Sequence, residues 1–354
     1  MEDASKAPAA AEGKAEKKEV AAQGAEEERR TEMRKKMAVA TVDMSQPDAR
    51  EQFNRSLQET GFAVLVNHGI KRADIDGLYD EWKAFMVGLD AKRREAFEAC
   101  KAAGEEDEEK CQKAGWAAIS DYLRNKTRFD GYFPMDLAET AAQAKVRDIK
   151  HYYHLYFPDG RYPEAVSSAA REIFEQLWEL GLKLMKWIDD GINEATWGKL
   201  RKQDMASLVD TCSKEQTLFR ILHYPSYDDS HQEPGAVRAA AHEDINHITL
   251  LPVGSSKGLQ LYGKEEQKWF DVPFEKESII INIGDMLQEL TDFHFKSTTH
   301  RVIKMAGEPE GQDRMSSPMF IHAKPSCFLS ERVGAASQYL CQRLTQLDAN
   351  NKGN

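Results

Sequence analysis

From residue 218 onward the chain consists of short apolar runs punctuated by turn residues, and this block limits the possible folds more than any other part. The runs occupy residues 218–224, 247–251, 258–262, 269–272, 278–283, 299–303 and 317–322, each rich in Ile, Val, Leu or aromatic side chains. Runs of this length and composition predict strands. No helical stretch is expected between them. Parallel strands need long, usually helical, crossovers, so seven strands joined by short loops predict an antiparallel sandwich or barrel.

Helical periodicity lies on either side of the block. Residues 38–43 form a short β-branched run, and a helix is expected after Pro47, capped by Ser45, with Phe53 and Leu57 inward. Residues 61–66 predict a strand ended by the turn Asn67-His68-Gly69, where His68 is expected to bond a neighbouring backbone group. Asp74 is expected to cap a helix carrying Leu78, Trp82, Phe85, Met86 and Leu89 at helical spacing. The charged stretch 92–113 reads as a solvated helix or surface insertion, and Asp130 opens a turn and a short extended piece. A strong helix is expected from Tyr162-Pro163 to Gly191, with Ile173, Leu177, Leu180, Leu184 and Ile188 in one stripe that Phe174, Trp178 and Met185 widen. So wide a stripe predicts packing against a sheet, with its aromatics as core. A last helix is expected from residue 331 to about 347, with Leu340, Leu344 and Leu347 inward. The expected architecture is α+β, helices around a β-sandwich in one domain over residues 37–349: a mainly helical part at 37–205, a strand core at 206–330 and a C-terminal helix at 331–349.

Residues 1–36 hold nine acidic and nine basic side chains and no recurring large apolar residue, so they predict a disordered charged tail rather than a secretory or transit signal. The net charge of −11 argues against nucleic acid as the main partner. No apolar run approaches the ~20 residues that cross a membrane. The five cysteines are scattered and include no Cys-x-x-Cys pair, which argues against a disulfide framework or structural zinc and predicts a reducing, cytoplasmic setting. A monomer is expected.

The chemistry lies in the strand block. His242 and Asp244 are two apart, so in an extended segment both project to one side. His300 opens another run, beside Val302 and Ile303. Two imidazoles and one carboxylate leave three coordination positions open, an arrangement suited to Fe(II) that activates dioxygen with a chelating keto acid. A closed structural zinc site would take four protein ligands. His231 and Glu233 form a rival pair in a proline-bounded loop without rigid support. His242-Glu243 starts like a zinc-protease motif, but position 246 is Asn. His247 is expected in the first strand or near the pocket, and His294 and His322 as ordinary polar and core-edge residues. Arg314 and Ser316 also share a strand face, and a guanidinium with a hydroxyl suits a carboxylate, the distal one of 2-oxoglutarate. The plainer alternative for Arg314 is a surface salt bridge.

Six segments resemble the iron- and 2-oxoglutarate-dependent oxygenase superfamily, in the branch typified by isopenicillin N synthase. They are residues 61–70, 222–225, 241–246 (Ala-His-Glu-Asp-Ile-Asn), 281–288 (Ile-Asn-Ile-Gly-Asp-Met-Leu-Gln), 296–302 and 314–316 (Arg-Met-Ser). The resemblance spans roughly residues 38–347. It implies a double-stranded β-helix (jelly roll) core, iron held by His242, Asp244 and His300, and a co-substrate carboxylate held by Arg314 and Ser316 with Tyr224 as a further partner. It implies oxidation of an unactivated C–H bond of a small, possibly amino-acid-like metabolite, by hydroxylation, desaturation or ring closure, with release of succinate and CO2. Two alternatives stay open: an oxidative cyclase that uses no 2-oxoglutarate and binds its substrate carboxylate at Arg-x-Ser, and a non-catalytic module on the same fold. The chain departs from the pattern at Asp292-Phe293, where Asn-Gly is common. A Phe disfavours positive φ, so this turn is expected to differ and its ring to reach a neighbouring surface. The loop at 306–313 is longer than usual.

Overall fold

The computed structural model describes residues 38–125, 129–135, 148–226, 237–305, 308 and 311–352, with side chains described to residue 346. The expected tail at 1–36, the rival pair His231 and Glu233, and half of the 306–313 loop lie outside the described residues.

The strands are β1 (Thr41–Asp43), β2 (Phe62–Val66), β3 (Gly131–Phe133), β4 (His151–Tyr156), β5 (Cys212–Tyr224), β6 (Ala239–His242), β7 (Ile248–Pro252), β8 (Leu259–Gly263), β9 (Lys268–Asp271), β10 (Ile279–Ile283), β11 (His300–Val302), β12 (Arg314–Ser316), β13 (Met319–Ala323), β14 (Phe328–Ser330) and β15 (Gly334–Ala335). The helices are α1 (Ala49–Thr60), α2 (Arg72–Ala102), α3 (Glu108–Ala118), α4 (Ala169–Asp189), α5 (Glu194–Arg201), α6 (Asp285–Leu290) and α7 (Ala336–Lys352).

A large sheet runs in the order β1-β2-β10-β7-β13-β5-β4-β3, with β12 also paired to β5. All its pairs are antiparallel except β1 with β2. A second sheet runs β6-β11-β8-β9. The expected antiparallel architecture is therefore present, and its core is the jelly roll. Two apolar clusters follow from strand alternation. Ala63, Leu65, Ile248, Leu250, Ile279, Ile281, Met319 and Ile321 face the helices, where the α4 stripe of Ile173, Leu177, Leu184 and Ile188 is buried against them. Phe62, Val64, Val253, Leu261, Ile280 and Val302 form the second cluster, on the opposite face. Burying a Leu- or Ile-sized side chain stabilises by about 1.5–3 kcal/mol, so the α4 stripe alone anchors that helix.

Several local expectations change. Helix α4 begins at Ala169, not at Pro163, and α7 at Ala336, not at 331, because Gly334 and Ala335 pair with β14. Asp48 precedes α1 while Ser45 bonds Asp43, and α2 starts at Arg72, leaving Asp74 inside its first turn. The charged stretch is an α2–α3 hairpin, where Asp107 caps α3 through the amides of Glu109 and Lys110. A short helix, α6, interrupts the strand block. The turn after it also corrects the expectation: Asp292 and Phe293 take positive φ of 48° and 62°. The helix end outweighs the side-chain preference. Phe293 N bonds Gln288 O at 2.9 Å, and Lys199 Nζ holds Asp292 Oδ1 at 2.6 Å together with two carbonyls of α6. The Phe293 ring does reach a neighbour, with the Arg332 guanidinium 5.2 Å from its centre.

Candidate metal and co-substrate site

His300 lies directly opposite His242 in the antiparallel β6–β11 pair, so two residues distant in sequence meet with ring centroids 4.3 Å apart. Asp244 follows β6 by two residues, in a loop pinned by α6. Gly284 N donates to His247 O at 2.9 Å and Asp285 N to Asp244 O at 2.7 Å. A Cβ at position 284 would overlap Asn246 O, so only glycine lets the two segments approach so closely.

The side chains are oriented by their outer atoms. Carbonyl oxygens can only accept, so His242 Nδ1 donates to Ala240 O at 2.7 Å and His300 Nδ1 to Thr298 O at 3.1 Å. Both Nε2 lone pairs are thereby directed elsewhere: they stand 3.6 and 3.7 Å from Asp244 Oδ1. The other carboxylate oxygen, Oδ2, accepts from Thr249 Oγ1 at 2.5 Å and Asn282 Nδ2 at 2.8 Å. One donor atom from each of the three residues falls within 4.8 Å of the others. Outer partners that fix tautomer and orientation are the usual support of a metal centre.

The protonation states suit a cation. Burial, then the His300 charge, pushes His242 down to about 4, so it is a neutral lone-pair donor at pH 7. Burial works against the Asp244 carboxylate, yet the His300 and His242 charges with the Asn282 and Thr249 bonds hold it below its ordinary range. The donor set, two imidazoles and one carboxylate with open positions, fits Fe(II).

Arg314 and Ser316 lie on β12, opposite Tyr224 and Leu222 of β5, with Met315 turned into the helix-side core. Arg314 is buried, 5.1 Å from the Tyr224 ring centre, and its Nε donates to Ser256 O at 3.2 Å. Its Nη1 is buried without a hydrogen-bond partner, a donor that a carboxylate would satisfy. Gly254 leaves room for the guanidinium: a Cβ there would sit 2.9 Å from Nη2. The surface salt-bridge alternative does not describe this residue.

A cavity of about 780 Å³ opens beside His242 and Asp244, lined also by Lys150, Arg220, His322 and Leu340. Arg314, Ser316 and Tyr224 do not border it. His68 bonds Glu277 O and Ile70 N, as expected, and His294 bonds Gly191 O. His247 is buried with Thr211, while His322 reaches the cavity wall. Thr249, Asn282 and the β4 wall escaped the sequence reading. For β4 the signal was its aromatic run, His-Tyr-Tyr-His-Leu-Tyr.

A family model described as the 2OG-Fe(II) oxygenase superfamily matches residues 216–323. Among solved structures, a candidate oxygenase from Shewanella oneidensis is 37% identical, with 88% of this chain and 99% of that chain covered and a TM-score of 0.69. A full-length Neurospora crassa protein, solved in complex with alpha-KG, shares 20% identity over 86% of this chain and 95% of its own, with a TM-score of 0.62, a likeness of fold. The 2-oxoglutarate-dependent dioxygenase frbA of Dothideomycetidae sp. is 28% identical over 76% of this chain and 78% of its own.

Proposed function

The chain belongs to the Fe(II)- and 2-oxoglutarate-dependent oxygenase superfamily, and on that premise we propose that His242, Asp244 and His300 hold its iron and that Arg314, Ser316 and Tyr224 hold its 2-oxoglutarate. It is a dioxygenase that oxidises an unactivated C–H bond of a small molecule. Fe(II) and 2-oxoglutarate, when bound, supply an oxidant from O2 with loss of CO2 and formation of succinate. The protein's own part is positioning. Ala240 O and Thr298 O fix the imidazoles, Thr249 and Asn282 fix the carboxylate, and the Arg314 guanidinium orients the co-substrate by its far end. The observation that carries this reading is Asp244, one oxygen held by two donors and the other turned toward both imidazoles.

Cavity and anchor divide the labour. The anchor residues stand apart from the open cavity, which leaves that space to the substrate. Its polar walls suit an amino-acid-like metabolite. A monomeric, cytoplasmic working form is supported by a site complete within one chain and by five free cysteines; among the described residues no helix is long and apolar enough to cross a membrane.

The test is anaerobic. Protein with Fe(II) and 2-oxoglutarate is expected to develop the weak visible absorbance of the chelate. His242→Ala should abolish iron binding, and Arg314→Ala should raise the 2-oxoglutarate requirement about 10- to 100-fold, the worth of a charge-assisted bidentate contact. No band together with no succinate over a broad substrate panel would overturn the proposal. Unchanged 2-oxoglutarate kinetics in Arg314→Ala would remove Arg314 from the anchor.

A further inference from the structure

The cavity beside His242 has one wall that neither the iron nor the 2-oxoglutarate reading uses. Lys150 stands just before β4, and with Tyr152 and His154 it occupies alternate positions that share one side of the strand. Arg220 pairs with His154 in the β4–β5 register. Arg220 Nε donates to His154 Nε2 at 2.8 Å, and His154 Nδ1 donates to Phe129 O at 3.0 Å. That imidazole is therefore neutral, donating at one nitrogen and accepting at the other. The Tyr152 and Phe320 ring centres lie 4.8 and 5.3 Å from the guanidinium carbon, which fixes its plane.

Lys150 is tied to the metal side of the cavity. Its Nζ bonds Asp148 Oδ2 at 2.6 Å, and Asp148 Oδ1 accepts from Ala240 N at 3.0 Å, two residues before His242. Among the described charged residues that also line the cavity, Glu243 bonds Lys264 and Thr299, Glu215 bonds Ser213, and Arg343 pairs with Asp285. Among the described residues, Lys150, with one donor given to Asp148, and Arg220, with Nε given to His154, are two cations on the cavity wall that also holds His242.

We propose that the substrate is an organic carboxylate whose charged end is seated between Lys150 and Arg220. Its apolar body lies along Phe320, Leu340 and Leu344, next to His242. The inference rests on the iron reading above and adds to it the substrate's charge class. A carboxylate matches both cations with charge-assisted hydrogen bonds, whereas an ester or amide of the same shape offers no charge to either.

The experiment uses the protein loaded with Fe(II) and 2-oxoglutarate and a metabolite extract split on a strong anion exchanger. Succinate release should be stimulated by the retained fraction, and methyl esterification of that fraction should cut the stimulation at least tenfold. Lys150→Met and Arg220→Met should raise the amount of retained fraction needed for half-maximal stimulation at least tenfold, with Arg220→Lys and Lys150→Arg intermediate. Stimulation that resides in the unretained fraction, survives esterification, is absent from the retained fraction or is undiminished in the Met variants overturns the proposal. The wild-type arms decide the matter if a variant misfolds. The chelate band separates the two readings: its absence in the wild type refutes the iron assignment, while its presence with stimulation by neutral compounds refutes only this one.

Discussion

Thr249→Val probes the support of the proposed metal centre without touching a proposed ligand. The hydroxyl donates to Asp244 Oδ2 at 2.5 Å, sharing that oxygen with Asn282 Nδ2 at 2.8 Å. Valine keeps the buried shape and removes the donor. Hydrogen bonds to charged groups contribute about 1.5–3 kcal/mol net, and at about 1.4 kcal/mol per decade this equals roughly 10- to 100-fold in metal affinity. The same range is typical when an outer partner of a metal ligand is lost. The sign is clear: a carboxylate held by one donor instead of two turns more freely, and its Oδ1 spends less time facing the two imidazoles. The assay is anaerobic Fe(II) titration by calorimetry or chelator competition, beside a thermal melt of the metal-free protein. Affinity should fall about 10- to 100-fold, more than any change in metal-free stability accounts for. Affinity within threefold of wild type, with an unchanged melt, would refute the claim that Thr249 orients Asp244.

Two further outcomes follow from buried groups. Burial, together with the charge of His322, pushes His247 down to about 3, and burial pushes His322 down to about 4. Both folded-state values lie below the ordinary 6.5, so the unfolded chain binds more protons between pH 6.5 and 4. Their stability contribution is whole above 6.5 and is lost as pH falls, on the order of 3 kcal/mol for each over that window, less than twice that for the interacting pair. Urea unfolding of metal-free protein should show this slope and His322→Gln should flatten it; an equal slope in the variant counts against the assignment. Gly284→Ala would push its methyl into Asn246 O and cost about 1–3 kcal/mol, with weakened iron binding because the Asp244 loop must shift; an unchanged melting temperature would show that the loop gives way freely.

The readable parts of this protein were those whose signal is local. Arg314 and Ser316 lie two apart on β12, so strand alternation placed them on a common side; the same spacing singled out His242 and Asp244, but β6 ends at His242 and the loop pinned by α6 places Asp244. The large apolar residues of the α4 stripe were legible because a helix repeats within one turn, but the buried Ala170, Gly181 and Asp189 were not, and its start was misplaced, since Pro163 precedes Ser168 by an irregular segment. Strand β4 was missed for a physical reason: its central four residues are all buried, so polar and apolar positions do not alternate. With it went Lys150, His154 and the cavity wall. The Asp292-Phe293 turn failed differently, because Lys199 and the end of α6 hold a conformation that Phe alone disfavours.

The sequence by itself determined the antiparallel class of the core, the His-x-Asp half of the proposed metal set and the pairing of a guanidinium with a hydroxyl, because these rest on neighbours along the chain. Tertiary structure alone decided that His300 faces His242 across two strands, that Thr249 and Asn282 turn Asp244 Oδ1 inward, and that β4 and β5 set two cations along the cavity. Strand register is set by total burial and pairing over the whole sheet, and no local pattern carries it.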